Sequence, residues 1–400
     1  MPPDFQWDIA NLTDEEHLGT ALSNSGILLD SHPEAVIEND LSWVIATHSK
    51  PDSYPVAFFC NEGQSCIGYT LFLVHNSGLP LSVGEVSLGS IPIQQWTLHG
   101  GSLLKNSNEH THVQLITGLF STLRAKMVSR CALLAVGVPS NSTFFKMLQT
   151  RSAIHKKFHV MQYGHEHLRR FIALPATFED YLRQLGPKTR ADLNRTCRKL
   201  REHVGGATVL KSYTEPATID DFMRQASLVS QKTYQWHLLK RGLRDHTVFR
   251  KRLEEAARRG WLRAYILFCR DQPVAFMVGY LHRGRYYSTD IGYDPDWAIW
   301  SVGNALHCEV VRDLIEKVNT ARLFDFMGDR PTHQRLSNNI SSREAAFYLF
   351  PKSLQGSLLY YTFHITDGFS VCAARILDRL NLKLRLRKLI RRLFASTQSP

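Results

Sequence analysis

The chain has 400 residues, 44% of them hydrophobic and 21% charged, and its 48 Lys and Arg against 36 Asp and Glu give a formal charge of +12. That length exceeds what one hydrophobic core usually holds, and that composition excludes a collagen-like or disordered chain, so two globular domains are expected. The stretches 64–84 and 86–104 lack charge but are broken by Asn76, Pro80, Pro92, Gln94 and Gln95, which excludes reading either as a membrane span.

The first 49 residues carry nine acids and no Lys or Arg, so no secretory leader is expected. Seven cysteines without a C-x-x-C pair or a zinc spacing predict reduced thiols, a cytoplasmic location and no metal site. β-favouring runs at 56–60, 66–74 and 86–98 precede an amphipathic helix at 112–127 and a strand at 131–138. Residues 178–200 form a basic helical segment interrupted at Gly186-Pro187, where proline and its predecessor disfavour a continuous helix. Across 183–201 seven basic residues face Asp192 alone, a net +6 that suits either a phosphate-bearing partner or a solvated helix face.

The second half repeats the rhythm of the first. Runs at 262–269 and 273–281 read as a hairpin about Arg270-Asp271-Gln272, a third run follows at 285–292, and Leu306, Val310, Leu314 and Val318 give a helical period over 302–318. The short apolar run 323–327 must return across that helix, which favours a strand parallel to the one before it. The expected fold is therefore mixed α+β with mainly antiparallel sheets. The expected domains are 1–175, a basic linker 176–206, a working domain 207–355 and a basic C-terminal segment 356–400. In that last segment, eight basic residues between 375 and 392 surround Ile376, Leu377, Leu380, Leu384, Ile390 and Leu393, a basic amphipathic helix that either rests on anionic lipid or packs on its domain.

A helix that begins just after a sheet strand aims unpaired N–H groups and a partial positive charge at the sheet's end, a seat for a pyrophosphate. Gly303 permits close backbone approach there, or tight packing of helix on sheet. No G-x-x-x-x-G-K-S/T, H-E-x-x-H or G-x-S-x-G occurs, so ATPase, zinc-protease and serine-hydrolase readings have no support.

Gly303-Asn304-Ala305 resembles the second half of the GNAT acyl-CoA signature, with Trp300 standing where Gln or Arg is usual. The order of Leu185-Gly186-Pro187-Lys188-Thr189-Arg190, Gln272-Pro273-Val274-Ala275, Ile291-Gly292-Tyr293-Asp294-Pro295, Ser301-Val302-Gly303 and Phe324-Asp325-Phe326-Met327-Gly328-Asp329 is similar to the acetyltransferase-like proteins of bacterial cellulose and exopolysaccharide synthesis, relatives of the Fem-type peptidyltransferases. Where many relatives continue after Gly-Asp with Tyr-Lys, this chain has Thr332-His333. The resemblance covers about 178–350 and extends weakly over the first half, implying tandem GNAT-like domains of which the first is degenerate. It implies acyl transfer from acetyl-CoA or another acyl-CoA to an amine or hydroxyl of a sugar or glycan precursor. The implied cofactor-binding residues are Ile291, Tyr293, Ser301, Val302, Gly303, Asn304 and Ala305, those near Ile291 acting as oxyanion donors. Asp290, placed with Tyr286 and Ser288 on one side of its strand, and Asp325, Asp329 and His333 are the candidates for proton transfer and acceptor binding; Asp290 and Asp329 also suit turn roles. Two other functions fit the resemblance: a Fem-like transfer from aminoacyl-tRNA, and a scaffold that has lost CoA binding. Trp236, Trp261, Trp297 and Trp300 suit an acceptor groove or core packing.

Overall fold

The computed structural model describes residues 5–379 apart from 13, 33–34, 48–52, 84–85, 106–107, 128–129, 207, 234–242, 244–246 and 339. The chain divides into two compact units, 1–166 with 344–400, and 167–343.

The first unit runs β1 (Trp7–Ile9), α1 (Glu15–Asp30), α2 (Leu41–Thr47), β2 (Ser53–Glu62), β3 (Ser65–Val83), β4 (Val86–His99), β5 (Leu103–Leu104), α3 (Glu109–Lys126), β6 (Cys131–Pro139), α4 (Thr143–Gln149) and α5 (Ala153–Lys157), and then enters β7 (Phe158–Ala173). Its strands are antiparallel except β4 and β6, which run parallel with Gln94–His99 against Cys131–Val136 and are joined across α3. α3 turns Leu115, Leu119 and Leu123 onto a core completed by Trp7, Phe58, Phe72, Leu133 and Phe158.

The second unit begins within β7 and continues with α6 (Phe178–Gln184), α7 (Pro187–Val204), β8 (Val209–Tyr213), α8 (Ile219–Gln231), α9 (Thr247–Arg258), β9 (Ala264–Cys269), β10 (Gln272–His282), β11 (Arg285–Tyr293), α10 (Val302–Asp313), β12 (Leu323–Asp325) and α11 (Pro331–Leu336). The expected break at Gly186-Pro187 separates α6 from α7, with Pro187 at the first helical position where no N–H is needed. β12 pairs parallel to β11 and antiparallel to β7, while β8 to β11 form an antiparallel ladder. The periodic stretch expected as one helix over 302–318 divides into α10 and a π-turn at Leu314–Val318.

The chain then returns through β13 (Ile340–Pro351) to α12 (Leu354–Arg379). A domain break was expected at 355, but from Glu344 onward β13 pairs with β6, and Ala345, Phe347 and Leu349 enter the first core. Apolar alternation in β13 is satisfied by a partner strand some two hundred residues earlier, a pairing that local pattern does not encode. The segment expected to stand apart as 356–400 likewise belongs to the first unit, because Leu359 and Phe363 of α12 pack on Leu79, Ile93, Tyr348 and Phe350. The part of the expected basic helix beyond Arg379 lies outside the described residues. Among the described residues no helix is long and apolar enough to cross a membrane.

Candidate active site

The site is built where two parallel strands part. β11 pairs with β12 only through Arg285–Tyr287, because β12 ends at Asp325. On its other edge β11 stays paired with β10 as far as Tyr293, and Asp294 N–H donates to Val274 O at 2.8 Å. Backbone N–H directions alternate along a strand, so the amides of Ile291 and Tyr293 point to the open edge.

From that edge the chain makes a 3₁₀ turn, Pro295–Trp300, and starts α10 at once. Ser301 adopts the left-handed conformation, φ +52° and ψ +43°, a placement that costs a non-glycine residue about 1 kcal/mol and swings the helix start toward the strand end. Ser301 O accepts from the N–H groups of Asn304 and Ala305 at 2.9 and 3.2 Å. No side chain caps the helix, so the amides of Val302 and Gly303 are left as donors. A Cβ on Gly303 would lie 3.4 Å from Tyr293 Cδ1, an ordinary contact, so the protein itself leaves room for a side chain there.

These elements enclose a cavity of about 600 Å³. Of the sequence-predicted residues it gathers Ile291, Tyr293, Ser301, Val302, Gly303, Asn304 and His333; Ala305 instead faces the core. Sequence reasoning missed Thr233, Gly292, His307, Arg330 and Thr332 in the lining. His307 was the most accessible of these, since it stands four residues after Gly303 on the same helix face. Among the described residues no carboxylate lines the cavity, and Arg330 forms no ion pair.

His333 is buried, with its ring stacked on Phe326 at 4.6 Å between centroids. Nδ1 lies 3.1 Å from Gly328 O, and since a carbonyl only accepts, Nδ1 carries the proton and Nε2 is left with its lone pair. Burial lowers the His333 pKa below its ordinary value, which keeps that lone pair free at neutral pH. His307 contacts the same Phe326 ring at 5.7 Å, and its Nδ1 is buried without a hydrogen-bond partner among the described residues. Burial, helped by the neighbouring His333 and Arg330, pushes its pKa down to about 3.

The three predicted carboxylates are not brought to this cavity. Asp325 is fully buried and gripped by Arg169, whose Nε lies 3.0 Å from each carboxylate oxygen and whose Nη2 lies 2.6 Å from one; Met327 N–H adds a bond at 2.8 Å. Such a group is a structural anchor, with no lone pair left to take a substrate proton. Asp329 bonds Arg170 Nε at 3.0 Å, and that bond holds its carboxyl below the usual range, the wrong direction for a base. Asp290 was expected beside Tyr286 and Ser288. A bulge sets Val278 opposite Asp290 but Gly279 opposite Ser288, leaving Thr289 as the extra residue, so Asp290 changes face. Ile291, not Asp290, follows Tyr286 onto the core. Protein crowding around the Asp290 carboxyl raises its pKa, although the side chain keeps an open side to solvent.

Tryptophan lines none of this cavity among the described residues. Trp300 stacks on His203 of α7 with centroids 4.0 Å apart, Trp297 packs beside it, Trp261 meets His282, and Trp236 lies outside the described residues. Among the described residues no group of His, Cys, Asp and Glu is arranged to hold a metal ion.

Residues 187–335 match the family model of the acetyltransferase (GNAT) domain, a span holding every residue of the cavity. No curated protein matches the sequence. Among solved structures, FemX is similar over 85% of this chain and 98% of its own, at TM-score 0.59 and 9% identity. A tandem GNAT protein from the clavulanic acid biosynthesis pathway is similar over 87% of this chain and 99% of its own, at TM-score 0.50 and 11% identity. At these identities the likeness is one of fold: a mixed α/β architecture of sheet flanked by helices, shared with tandem GNAT proteins.

Proposed function

We propose that the second unit is an acyltransferase that takes an acyl group from acetyl-CoA or another acyl-CoA and passes it to an amine or hydroxyl, with a sugar or glycan precursor as the acceptor class. The observation that carries this reading is the uncapped start of α10, whose free Val302 and Gly303 amides open onto a cavity with Arg330 and, among the described residues, no carboxylate. A diphosphate fits such a seat: the amides donate, the helix end and the guanidinium supply positive charge, and no acid among the described residues opposes it. When bound, acyl-CoA supplies an activated thioester carbonyl. The chain's own groups do the rest. The Ile291 and Tyr293 amides would donate to the oxygen on which charge develops, and His333 Nε2 would take the proton of the attacking acceptor and return it to the sulfur released as the C–S bond breaks. Gly328 O holds the His333 tautomer in that orientation. Tyr293, 45% exposed at the cavity rim, presents an aromatic face on which a sugar ring can rest.

The aminoacyl-tRNA alternative draws on the basic run at 183–201. There Arg183, Arg195, Arg198 and Arg201 are engaged by Asp180, Asp192, Glu202 and Glu309, which spends much of the field an RNA backbone would need. The acyl-CoA reading is preferred for that reason.

Calorimetric titration with acetyl-CoA tests it. One molecule should bind per chain with Kd below about 1 mM, followed by acetyl transfer in a screen of amino sugars and their nucleotide derivatives. Absence of binding at millimolar acetyl-CoA would overturn the proposal in favour of the scaffold.

A further inference from the structure

We propose that the outer face of α12 docks on an anionic lipid bilayer, with the helix lying in the plane of the headgroups. This inference concerns the first unit and is independent of the acyl-transfer reading.

α12 is apolar on two opposite sides. Its inner side is fixed: Leu359 and Phe363 enter the first unit's core, and His159 Nε2 meets Ser357 Oγ at 2.9 Å while its ring stacks on Tyr360. On the outer side Leu354, Leu358, Tyr361 and Ile365 are 89%, 68%, 55% and 55% exposed. Their spacing of four, three and four residues keeps all of them within roughly 60° of the helix surface. Exposed apolar side chains scattered singly need no explanation, but a continuous strip on a rigidly seated helix marks a contact surface.

The sequence that follows selects the occupant. Residues 380–400 contain Lys383, Arg385, Arg387, Lys388, Arg391 and Arg392 and no acid, with Arg375 and Arg379 just before them. A second copy carries the same cationic stretches, so like charge opposes its approach. An anionic bilayer instead attracts them while it takes up the leucines and the tyrosine, the combination by which amphipathic helices hold to a membrane surface. The strip is about 17 Å long at the rise of an α-helix, and no described helix can cross a bilayer, so the contact is peripheral.

Co-sedimentation of the full chain with vesicles tests the proposal, comparing phosphatidylglycerol mixed into phosphatidylcholine with phosphatidylcholine alone. The anionic vesicles should bind about tenfold more protein at low salt, with the difference shrinking as salt is raised. Leu354→Gln, Leu358→Gln and Ile365→Gln together should lower that binding about tenfold, leaving the melting temperature and acetyl-CoA titration unchanged because these side chains are exposed and outside the cavity. A chain ended at Arg379 should lose its preference for anionic over neutral vesicles. Failure of the wild-type chain to bind, or equal binding by the triple variant, overturns the inference. So does a wild-type dimer that the triple variant dissociates with vesicle binding unchanged, which would assign the strip to a second copy.

Discussion

The two β-helix-β crossovers of this chain follow one plan and end in different chemistry. In the first unit α3 follows β4 and leads to β6; in the second α10 follows β11 and leads to β12. Each crossover returns to a parallel partner, and each unit has a cavity beside its helix start, of about 320 and 600 Å³. The first crossover offers an anion less, and the Glu344 carboxylate lines its cavity. Asn108 caps α3 by accepting from Thr111 N–H, and Glu109 puts a carboxylate into the first turn. The ring nitrogens of His32 lie 2.7 and 2.9 Å from Leu28 O and Leu104 O, and Asn39 is bonded to Val36 N and His99 O. The second keeps its donors: α10 has no side-chain cap and no first-turn acid, Arg330 is without an ion pair among the described residues, and His333 offers a free Nε2. Chain order sets the shape of such a cavity, and the few polar groups left unspent at the helix start decide whether it suits an anionic ligand.

The hardest blow to that contrast comes from His333→Gln, expected to lower turnover by about 10²- to 10⁴-fold while acetyl-CoA affinity stays near normal. In the wild type the burial-lowered pKa predicts a rate that is flat from neutral pH upward and falls on the acid side, below 6.5, as Nε2 becomes protonated. A turnover within threefold of wild type would remove the base from the second cavity. His307 sharpens the comparison through stability. Its unfolded imidazole takes a proton below its ordinary value of 6.5, whereas the folded one stays neutral down to about 3, so stability is lost as pH falls through that window. The loss is about 1.4 kcal/mol per pH unit for this one proton. His307→Leu should flatten the urea-denaturation profile between neutral pH and pH about 4 by that amount; an unchanged slope would show the imidazole to be hydrated and charged.

Gly303→Val should weaken acetyl-CoA binding tenfold or more, with a melting temperature within a few degrees, because the added carbons would crowd the proposed phosphate seat while the new Cβ meets Tyr293 at an ordinary 3.4 Å. Glu109→Gln in the first crossover should leave that titration unaltered. Two molecules bound per wild-type chain would break the distinction between the cavities. The smallest effect is expected of Asp329→Asn, under threefold in turnover, since its carboxylate serves Arg170 and lies outside the cavity.

Much of this was legible beforehand. Hydrophobic periodicity located the strands and helices of both crossovers, and chain order placed β12 parallel to β11. The uncapped helix start proposed as a phosphate seat could be anticipated, because glycine after a strand end is a local signal. The carboxylates could not, each for a nonlocal reason: Asp325 meets an arginine 156 residues away, Asp329 one 159 away, and Asp290 is turned by a bulge that leaves no mark in apolar alternation. The tautomer of His333 depends on a carbonyl five residues back in a loop, which no side-chain pattern announces.

The discontinuity of the first unit bears on the order in which the molecule takes shape during synthesis. All of 167–343 emerges from a ribosome before Ala345, Phe347 and Leu349, so the later-encoded unit has its whole core in hand while the earlier one still lacks the strand that pairs with β6. Until then the apolar side chains of Leu133 and Ala135 remain open beside an unpaired edge, a surface prone to the wrong partner. The nascent first half is thus the part of this chain most open to mispairing until its last strand returns.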